Sequence, residues 1–433
     1  MKRMFGFFLA FATAAAQAAT FTVTSTADLP DLLPGNGFCN VFPQPGPGPC
    51  TLRAAIIETN ALAGADVIDL TAGAHYTLDI AGAGEDGGFS GDLDIDDDLQ
   101  IRFFASGERP VVDADGIDRV FDVVSGNVTL LGFDIAGGEA TSAAATSGGA
   151  VLVRSGAGTV TLSLMRVHDN RAQLGGGLYN AGSDTAVLAS EFFDNIFVGD
   201  INETPSGSAI RNRGNLVVGY SSFHDNRGFP PKRGKATRGT TESANTIDSE
   251  PVGSANGLRV FNTTMVRNTG NAINVEGAVA LELSSVTLAG NSVRGLRAAG
   301  DGAEALIHNS IIARNAFADC FISEGADLDA DRYNLDSDDS CGLGGGSTNR
   351  TGVDPQLTPP ARHGGITMAS WPVTPSIVID HGHPLFTATG CEDDDQQFAD
   401  RPVDFDGDGA ALCDIGAVEM DSDVIFFDPF DRL

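Results

Sequence analysis

The segment VTLSLMRVHDN at residues 160–170 is the clearest indication of the fold, because five related segments follow it and each ends in asparagine. The six asparagines are Asn170, Asn195, Asn226, Asn268, Asn291 and Asn315, at intervals of 25, 31, 42, 23 and 24 residues. Apolar residues stand three and eight positions before each one, as Val167 and Leu162 do before the first. Short alternating strands with a period near 24 residues are typical of a solenoid that forms one coil per repeat.

This repeat predicts an all-β chain that folds as a right-handed parallel β-helix, a solenoid with a helical cap at its N-terminal end and a disulfide-bearing cap at its C-terminal end. The six asparagines are expected to stack at one corner of the coils, where their side chains hydrogen-bond from coil to coil as a structural ladder. Such a role requires no catalysis.

Composition and net charge exclude one class of partner. The chain has 433 residues, of which 54 are glycine, and its formal charge is 26 minus 58, or −32. A surface this acidic repels phosphate backbones, so nucleic acid is excluded as a partner. We predict a monomer.

The N-terminus predicts export. Lys2 and Arg3 precede an apolar stretch, and Ala16-Gln17-Ala18 supplies the small residues that signal peptidases read. We predict a signal peptide at 1–18, no transmembrane segment in the mature chain, and a secreted or cell-surface location.

The six cysteines agree with an oxidising compartment. Pairing of sequence neighbours is our preferred connectivity among 15 possibilities, which gives the pairs Cys39 with Cys50, Cys320 with Cys341, and Cys391 with Cys413.

Two resemblances support this reading. The segment CTLRAAIIETNA at residues 50–61 resembles the CSLREA motif of secreted bacterial β-helix proteins, with Ala54 in place of glutamate, and reads as an amphipathic helix. GDLDI at 91–95 resembles the early strand of that family. YNLDSDDSC, DPQL, HGGIT, WPVTPSIVIDHG and CDIGAVE, beginning at Tyr333, Asp354, His363, Trp371 and Cys413, resemble the C-terminal pattern of choice-of-anchor Q proteins. The resemblance implies the fold and an exported fate, and it implies no reaction.

A third resemblance concerns adhesion. FFDN at 192–195 and FHDN at 223–226, with GGAV at 148–151 and GGGL at 175–178, are similar to the repeats of polymorphic outer-membrane adhesins. These patterns also follow from β-helix packing alone.

The motifs divide the chain as follows: 1–18 signal peptide; 19–126 N-terminal cap and first coils; 127–345 parallel β-helix core with an insertion at 229–257; 346–420 C-terminal cap; 421–433 aromatic and acidic tail. The tail, IFFDPF at its centre, is either a sorting signal or a final strand.

A structural calcium ion is the one cofactor that the sequence suggests. In DFDGDGAALCD, carboxylates alternate around a glycine turn, a spacing that suits hard cations; they are Asp404, Asp406, Asp408 and, later, Asp414. The twelfth position of the loop is Ile415, so a simple acidic turn is the alternative.

Two further sets of residues are candidates for function. Asp169, Asp194 and Asp225 each precede a ladder asparagine, and stacked carboxylates would raise one another's pKa as in polysaccharide hydrolases; with Arg211 they are weak catalytic candidates. The ordinary alternative is that each caps its own turn. The insertion carries a candidate basic binding loop formed by Lys232, Arg233, Lys235 and Arg238.

The sequence therefore favours a non-catalytic, adhesin-like module that presents a rigid face to an extracellular polysaccharide or a cell-surface partner. The alternative is a polysaccharide lyase or glycoside hydrolase, and whether the chain is an enzyme stays open.

Overall fold

The computed structural model describes residues 18–199, 206–229, 244–251, 253, 256–330, 332–344, 348–384 and 390–421. The predicted signal peptide (save Ala18), the basic loop from Lys232 to Arg238, and the tail beyond residue 421 lie outside the described residues. Among the described residues no helix is long and apolar enough to cross a membrane.

In chain order the first elements are β1 (Thr20–Thr22), α1 (Leu52–Ala61), β2 (Asp66–Asp69), β3 (His75–Thr77), β4 (Leu93–Ile95), β5 (Leu99–Arg102), β6 (Val111–Asp113), β7 (Phe121–Val123), β8 (Val128–Leu131), β9 (Asp134–Ala136), β10 (Glu139–Ala140), β11 (Val151–Val153), β12 (Val160–Ser163), β13 (Arg166–His168), β14 (Arg171–Ala172), β15 (Leu178–Asn180), β16 (Asp184–Leu188) and β17 (Glu191–Phe193). They are followed by β18 (Ile196–Val198), β19 (Gly207–Asn212), β20 (Asn215–Gly219), β21 (Ser222–His224), β22 (Arg227–Phe229), β23 (Asn245–Ser249), β24 (Asn256–Val266), β25 (Ile273–Glu276), β26 (Val279–Ala289), β27 (Arg294–Ala299), β28 (Glu304–His308), β29 (Ile311–Ala313), β30 (Ala318–Ile322), β31 (Asp327–Ala330), β32 (Leu335–Asp336) and β33 (Arg350–Thr351).

The strands pair in parallel with the equivalent strands of neighbouring coils, which confirms the predicted parallel β-helix. A long sheet of 20 strands forms two sides of each coil, and a nine-stranded sheet, from β4 to β30, forms the third. A short four-stranded sheet, β10, β14, β18 and β22, lies between them along the chain. Successive strands of a coil therefore enclose one core, as in any solenoid.

The predicted apolar positions line that core. The residues eight before each asparagine stack in register from Leu162 to Ile307 with none exposed. The residues three before each asparagine form a second stack from Val167 to Ile312, in which the rings of Phe192 and Phe223 lie 5.1 Å apart. Because alternate side chains of a strand point to opposite faces, the residues directly before and after each stacked residue in its strand face outward.

The six asparagines form a continuous ladder. Each Nδ2 donates to the Oδ1 of the next at 3.0–3.1 Å, and each backbone N–H donates to the same oxygen. The ladder ends one step beyond the sequence pattern, because Asn315 Nδ2 donates to Asp319 Oδ1 at 2.9 Å. The ladder thus satisfies the backbone where the coil turns away from strand pairing.

Two corners of the coil use left-handed backbone. One series is Leu164, Ala189, Tyr220, Asn262, Ser285 and Asn309; the other, directly before the ladder, is Asp169, Asp194, Asp225, Arg267, Gly290 and Arg314. Their φ angles lie between 42° and 63°. Aspartate, asparagine and glycine tolerate this region better than most residues, which explains why aspartate recurs before the ladder.

The helix α1 closes the N-terminal end. Thr51 caps it by accepting a hydrogen bond from the Ala54 backbone N–H at 3.1 Å. The amphipathic prediction is wrong, since every residue from Leu52 to Thr59 is buried. Arg53 is also buried, because residues before and after the helix bind its guanidinium.

The three predicted disulfides are confirmed: Cys39–Cys50, Cys320–Cys341 and Cys391–Cys413. The third lies in the C-terminal segment (residues 348–384 and 390–421), which also runs back along the side of the coils. There Leu357, Val378 and Ile415 pack on outward residues such as Val266 and Ile311. This segment consequently covers part of the long sheet's outer face.

Candidate functional site

A shallow groove crosses several coils on the uncovered part of the long sheet and encloses about 670 Å³. Its floor is one register position on five neighbouring strands, occupied by Val217, Arg259, Glu282, Leu306 and Asp329. Since parallel strands lie about 4.8 Å apart, this row extends for roughly 19 Å along the solenoid axis. We call the whole depression, with this row as its floor, the groove.

Arg259 is held in place from two sides. Its Nε donates to Glu282 Oε1 at 3.2 Å, and its Nη2 donates to Glu392 Oε1 of the C-terminal segment at 2.6 Å. The guanidinium also lies 4.3 Å from the centroid of the Phe261 ring. About a third of the side chain stays exposed, so the arginine is oriented and still accessible.

Aromatic side chains pack beside Arg259, outside the lining of the groove. Phe261 contacts the edge of Tyr220 at 5.1 Å between centroids, and Tyr220 stacks on Phe398 at 4.6 Å. Phe398 is 49% exposed. Burial raises the pKa of Tyr220, with Asp394 and Glu392 adding to the effect, so its hydroxyl stays protonated.

The groove combines few cationic donors with many acceptors. Its lining contains one arginine and four carboxylates, Glu282, Glu304, Asp327 and Asp329. Carboxylates accept hydrogen bonds from hydroxyl groups, and aromatic faces cover apolar surface. Negative charge at this density disfavours anionic ligands. The arrangement therefore suits an elongated, uncharged ligand rich in hydroxyl groups.

The weak catalytic candidates lie elsewhere. Asp169, Asp194 and Asp225 occupy equivalent corners of three adjacent coils, as the sequence suggested, but each has its own partner. His168 Nδ1 lies 2.9 Å from Asp169 Oδ2, Arg227 Nη2 donates to Asp194 at 3.2 Å, and Arg267 binds Asp225 through two nitrogens.

The expected mutual increase in pKa is wrong for Asp225. Burial alone would raise the pKa of Asp225, but hydrogen bonds from Arg267 and His224 outweigh burial and lower it. Arg211, the fourth weak catalytic candidate, does not join these aspartates. Arg211 lies on β19 of the nine-stranded sheet, where it forms ion pairs with Asp248 and Glu250. These residues do not form one site.

The predicted calcium loop has a different set of neighbours. Carboxylate oxygens of Asp380, Asp404 and Asp406 lie within 4.8 Å of one another. Asp414 instead accepts backbone hydrogen bonds from Asp380 and Met420 and is buried, and Asp408 accepts one from Ala410. Burial raises the pKa of Asp380, and the charges of Asp406 and Asp404 add to it. In this group of carboxylates, Asp380 therefore takes the place that the sequence analysis gave to Asp414.

A carboxyl pair closes the C-terminal end of the coils. Burial raises the pKa of Asp336 to about 7, and sharing a hydrogen bond with Asp338 and the charge of Asp319 add to this effect. Asp336 Oδ2 accepts the Cys341 backbone N–H at 2.7 Å, which ties the pair to the second disulfide. The pair is therefore a pH-sensitive structural contact.

We expect Asp336→Asn to be more stable than the wild type at pH 8 by about 2 kcal/mol and equally stable at pH 4. A folded-state pKa above the unfolded value means that the contribution is complete at acidic pH and is lost as pH rises towards 7. Thermal unfolding from pH 4 to pH 8 measures the difference. Asp339→Asn, an exposed neighbour, is the control; a difference that does not change with pH contradicts the assignment.

The sequence carried a partial signal for the groove. Val217, Arg259, Glu282 and Leu306 each stand nine residues before a ladder asparagine, at an outward position of the strand. The repeat alignment could have found this row. It could not have found Glu392 or Phe398, because the C-terminal segment reaches them only through tertiary packing.

Comparisons with known proteins find similarity only to solved structures. No family model matches the chain, and no curated protein matches it. The crystal structure of pectate lyase Pel9A matches with a TM-score of 0.46 and 14% identity over 94% of this chain and 98% of that one. A rhamnogalacturonan lyase matches with a TM-score of 0.38 and 12% identity over 72% of this chain and 84% of that one.

Proposed function

We propose that the protein is an exported, non-catalytic binding module whose groove holds a neutral extracellular polysaccharide along the solenoid axis. The observation that supports this most directly is the row from Val217 to Asp329, which repeats one outward position over five coils. A repeating surface of this kind suits a repeating ligand. The open shape also allows a chain to enter and leave at both ends.

The state of Arg259 favours binding over elimination chemistry. A lyase needs a base to remove a proton from its substrate, and an arginine acts as one only after losing its own proton. Arg259 donates hydrogen bonds to Glu282 and Glu392, and a guanidinium group keeps its proton in proteins. We therefore assign it the role of a hydrogen-bond donor to sugar hydroxyls.

Replacing Arg259 with alanine is expected to weaken retention on a neutral polysaccharide about tenfold, since a charge-assisted donor is lost. Phe398→Ala is expected to have a similar effect by removing the exposed aromatic surface. Affinity electrophoresis in gels containing neutral or acidic polysaccharides measures retention. Arg171→Ala is the matched control, because Arg171 is also ion-paired and about 42% exposed, but lies on β14 outside the groove.

The same samples test the enzymatic alternative. New reducing or unsaturated ends that disappear in the Arg259 or Glu282 variants would establish a hydrolase or lyase. Retention on acidic polysaccharides alone that is the same in the Arg259 and Phe398 variants as in the wild type would contradict binding in the groove. The basic loop from Lys232 to Arg238 would then be the candidate binding site.

Three further expectations accompany this proposal. Membership of the CSLREA and choice-of-anchor Q group, export through a signal peptide, and a structural calcium ion at Asp404 and Asp406 stay predictions. The disulfides support the extracellular location. For calcium, the proximity of Asp380 offers a third carboxylate.

A further inference from the structure

A second group of carboxylates lies at the opposite end of the solenoid from the predicted calcium loop. Asp94 on β4 and Asp122 on β7 are register partners on adjacent coils of the nine-stranded sheet. Asp86 joins them from the turn before β4, so that carboxylate oxygens of all three lie within 4.8 Å of one another. Asp94 and Asp122 are fully buried, whereas the side chain of Asp86 is 63% exposed.

The buried charges in this region do not balance. Four aspartates, Asp92, Asp94, Asp118 and Asp122, have no exposed surface. Two arginines face them: Arg119 pairs with Asp92 at 2.7 Å and with Asp122 at 2.9 Å, and Arg154 pairs with Asp122 at 2.8 Å and with Asp86. Buried carboxylates without compensating cations are costly.

One oxygen in the group has no partner at all. Asp94 Oδ2 accepts the Gly88 backbone N–H at 2.8 Å, but Asp94 Oδ1 accepts no hydrogen bond although the residue is fully buried. Asp92 Oδ1 is in the same state. The region is thus short of a cation.

We propose that Asp86, Asp94 and Asp122 form a calcium site. Calcium takes oxygen ligands in flexible geometry, and a site that mixes two strand carboxylates with one from a turn meets that preference better than the strict octahedron of magnesium. Arg154 is the cation that calcium displaces, because its side chain is 36% exposed and can swing into solvent. Arg119, only 7% exposed, stays beneath the site.

The site would fasten the turn before β4 to the second coil. Arg53 of the helix α1 binds the carbonyls of Gly88, Gly91 and Asp92 in the same turn. Calcium would therefore join the N-terminal cap to the coils, independently of the ligand groove. This inference does not rest on the proposed function.

The test is calcium titration of the chelator-treated full chain, followed by calorimetry and by thermal unfolding. We expect calcium to raise the unfolding midpoint of the wild type and to bind at least tenfold more weakly to Asp86→Asn, in which an exposed ligand is changed without harm to the core. Asp94→Asn should abolish binding at this site. Arg154→Ala should bind calcium several-fold more tightly, because the competing cation is gone.

The double variant Asp404→Asn, Asp406→Asn separates the two candidate calcium sites. It should keep the calcium response that Asp86→Asn loses. An unchanged response in Asp86→Asn, weaker binding in Arg154→Ala, or no binding by the wild type would each overturn the proposal. A folded Asp86→Asn variant, verified by circular dichroism, keeps the test valid even if Asp94→Asn unfolds.

Discussion

Arg53→Met is expected to detach the N-terminal cap and destabilise the adjoining coils by at least about 4 kcal/mol. Arg53 is 1% exposed and uses all five of its N–H donors. Two bonds go to the Asp28 carboxylate, at 2.6 and 3.1 Å, and three go to the carbonyls of Gly88, Gly91 and Asp92 at 2.8–3.0 Å. Methionine fills the space of the side-chain stem but removes the partner of three carbonyls and the only cation beside the buried Asp28 carboxylate, which keeps only the backbone N–H groups of Asp79 and Ile80.

Hydrogen exchange over residues 52–123, together with denaturant unfolding, measures the effect locally, since a solenoid can lose terminal coils before the rest unfolds. Arg102→Met is the control, because Arg102 is also ion-paired, at 2.7 Å from Asp69, but is 38% exposed. Arg53→Lys should recover part of the stability. Equal protection in the Arg53 and Arg102 variants would show that the contact does not hold the cap.

Asn226→Ala is expected to destabilise the centre of the solenoid by about 3 kcal/mol or more. Asn226 Nδ2 donates to Asn268 Oδ1 at 3.0 Å and to the Phe192 carbonyl at 2.8 Å. Its Oδ1 accepts from both the backbone N–H and the side chain of Asn195. Alanine therefore leaves unpaired groups on two coils at once, and the interruption divides the ladder into halves.

The measurement is the denaturant midpoint, with hydrogen exchange to locate the loss. Asn215→Ala is the matched control, since Asn215 is an exposed asparagine on the same coil that donates to Asp184 at 2.8 Å. We expect exchange to rise at Asn195 and Asn268 in the Asn226 variant alone. A loss of the same size in both variants would mean that the ladder contributes no more than a surface contact.

Much of the fold could be predicted because the solenoid core is local and periodic. The stacks through Leu162 and Val167, and the ladder that begins at Asn170, follow from the strand alternation and from a constant coil length. The disulfides could be predicted because each joins cysteines 11 to 22 residues apart. The corner aspartates were correctly seen as a series, but their partners Arg227 and Arg267 come from the next coil, so the electrostatic prediction for Asp225 was wrong.

The coil, its inward and outward positions and the corner ladder could all be predicted from the sequence, because these depend on contacts that repeat from one coil to the next. The contact of Glu392 with Arg259, the group around Asp94 and the replacement of Asp414 by Asp380 depend on tertiary packing and carry no signal in the repeat. Glu392 reaches Arg259 across 133 residues, and Asp122 pairs with Asp94 through the register of adjacent coils. Side chains that meet in this way share no local pattern, since their proximity is fixed by how the C-terminal segment and the coils pack.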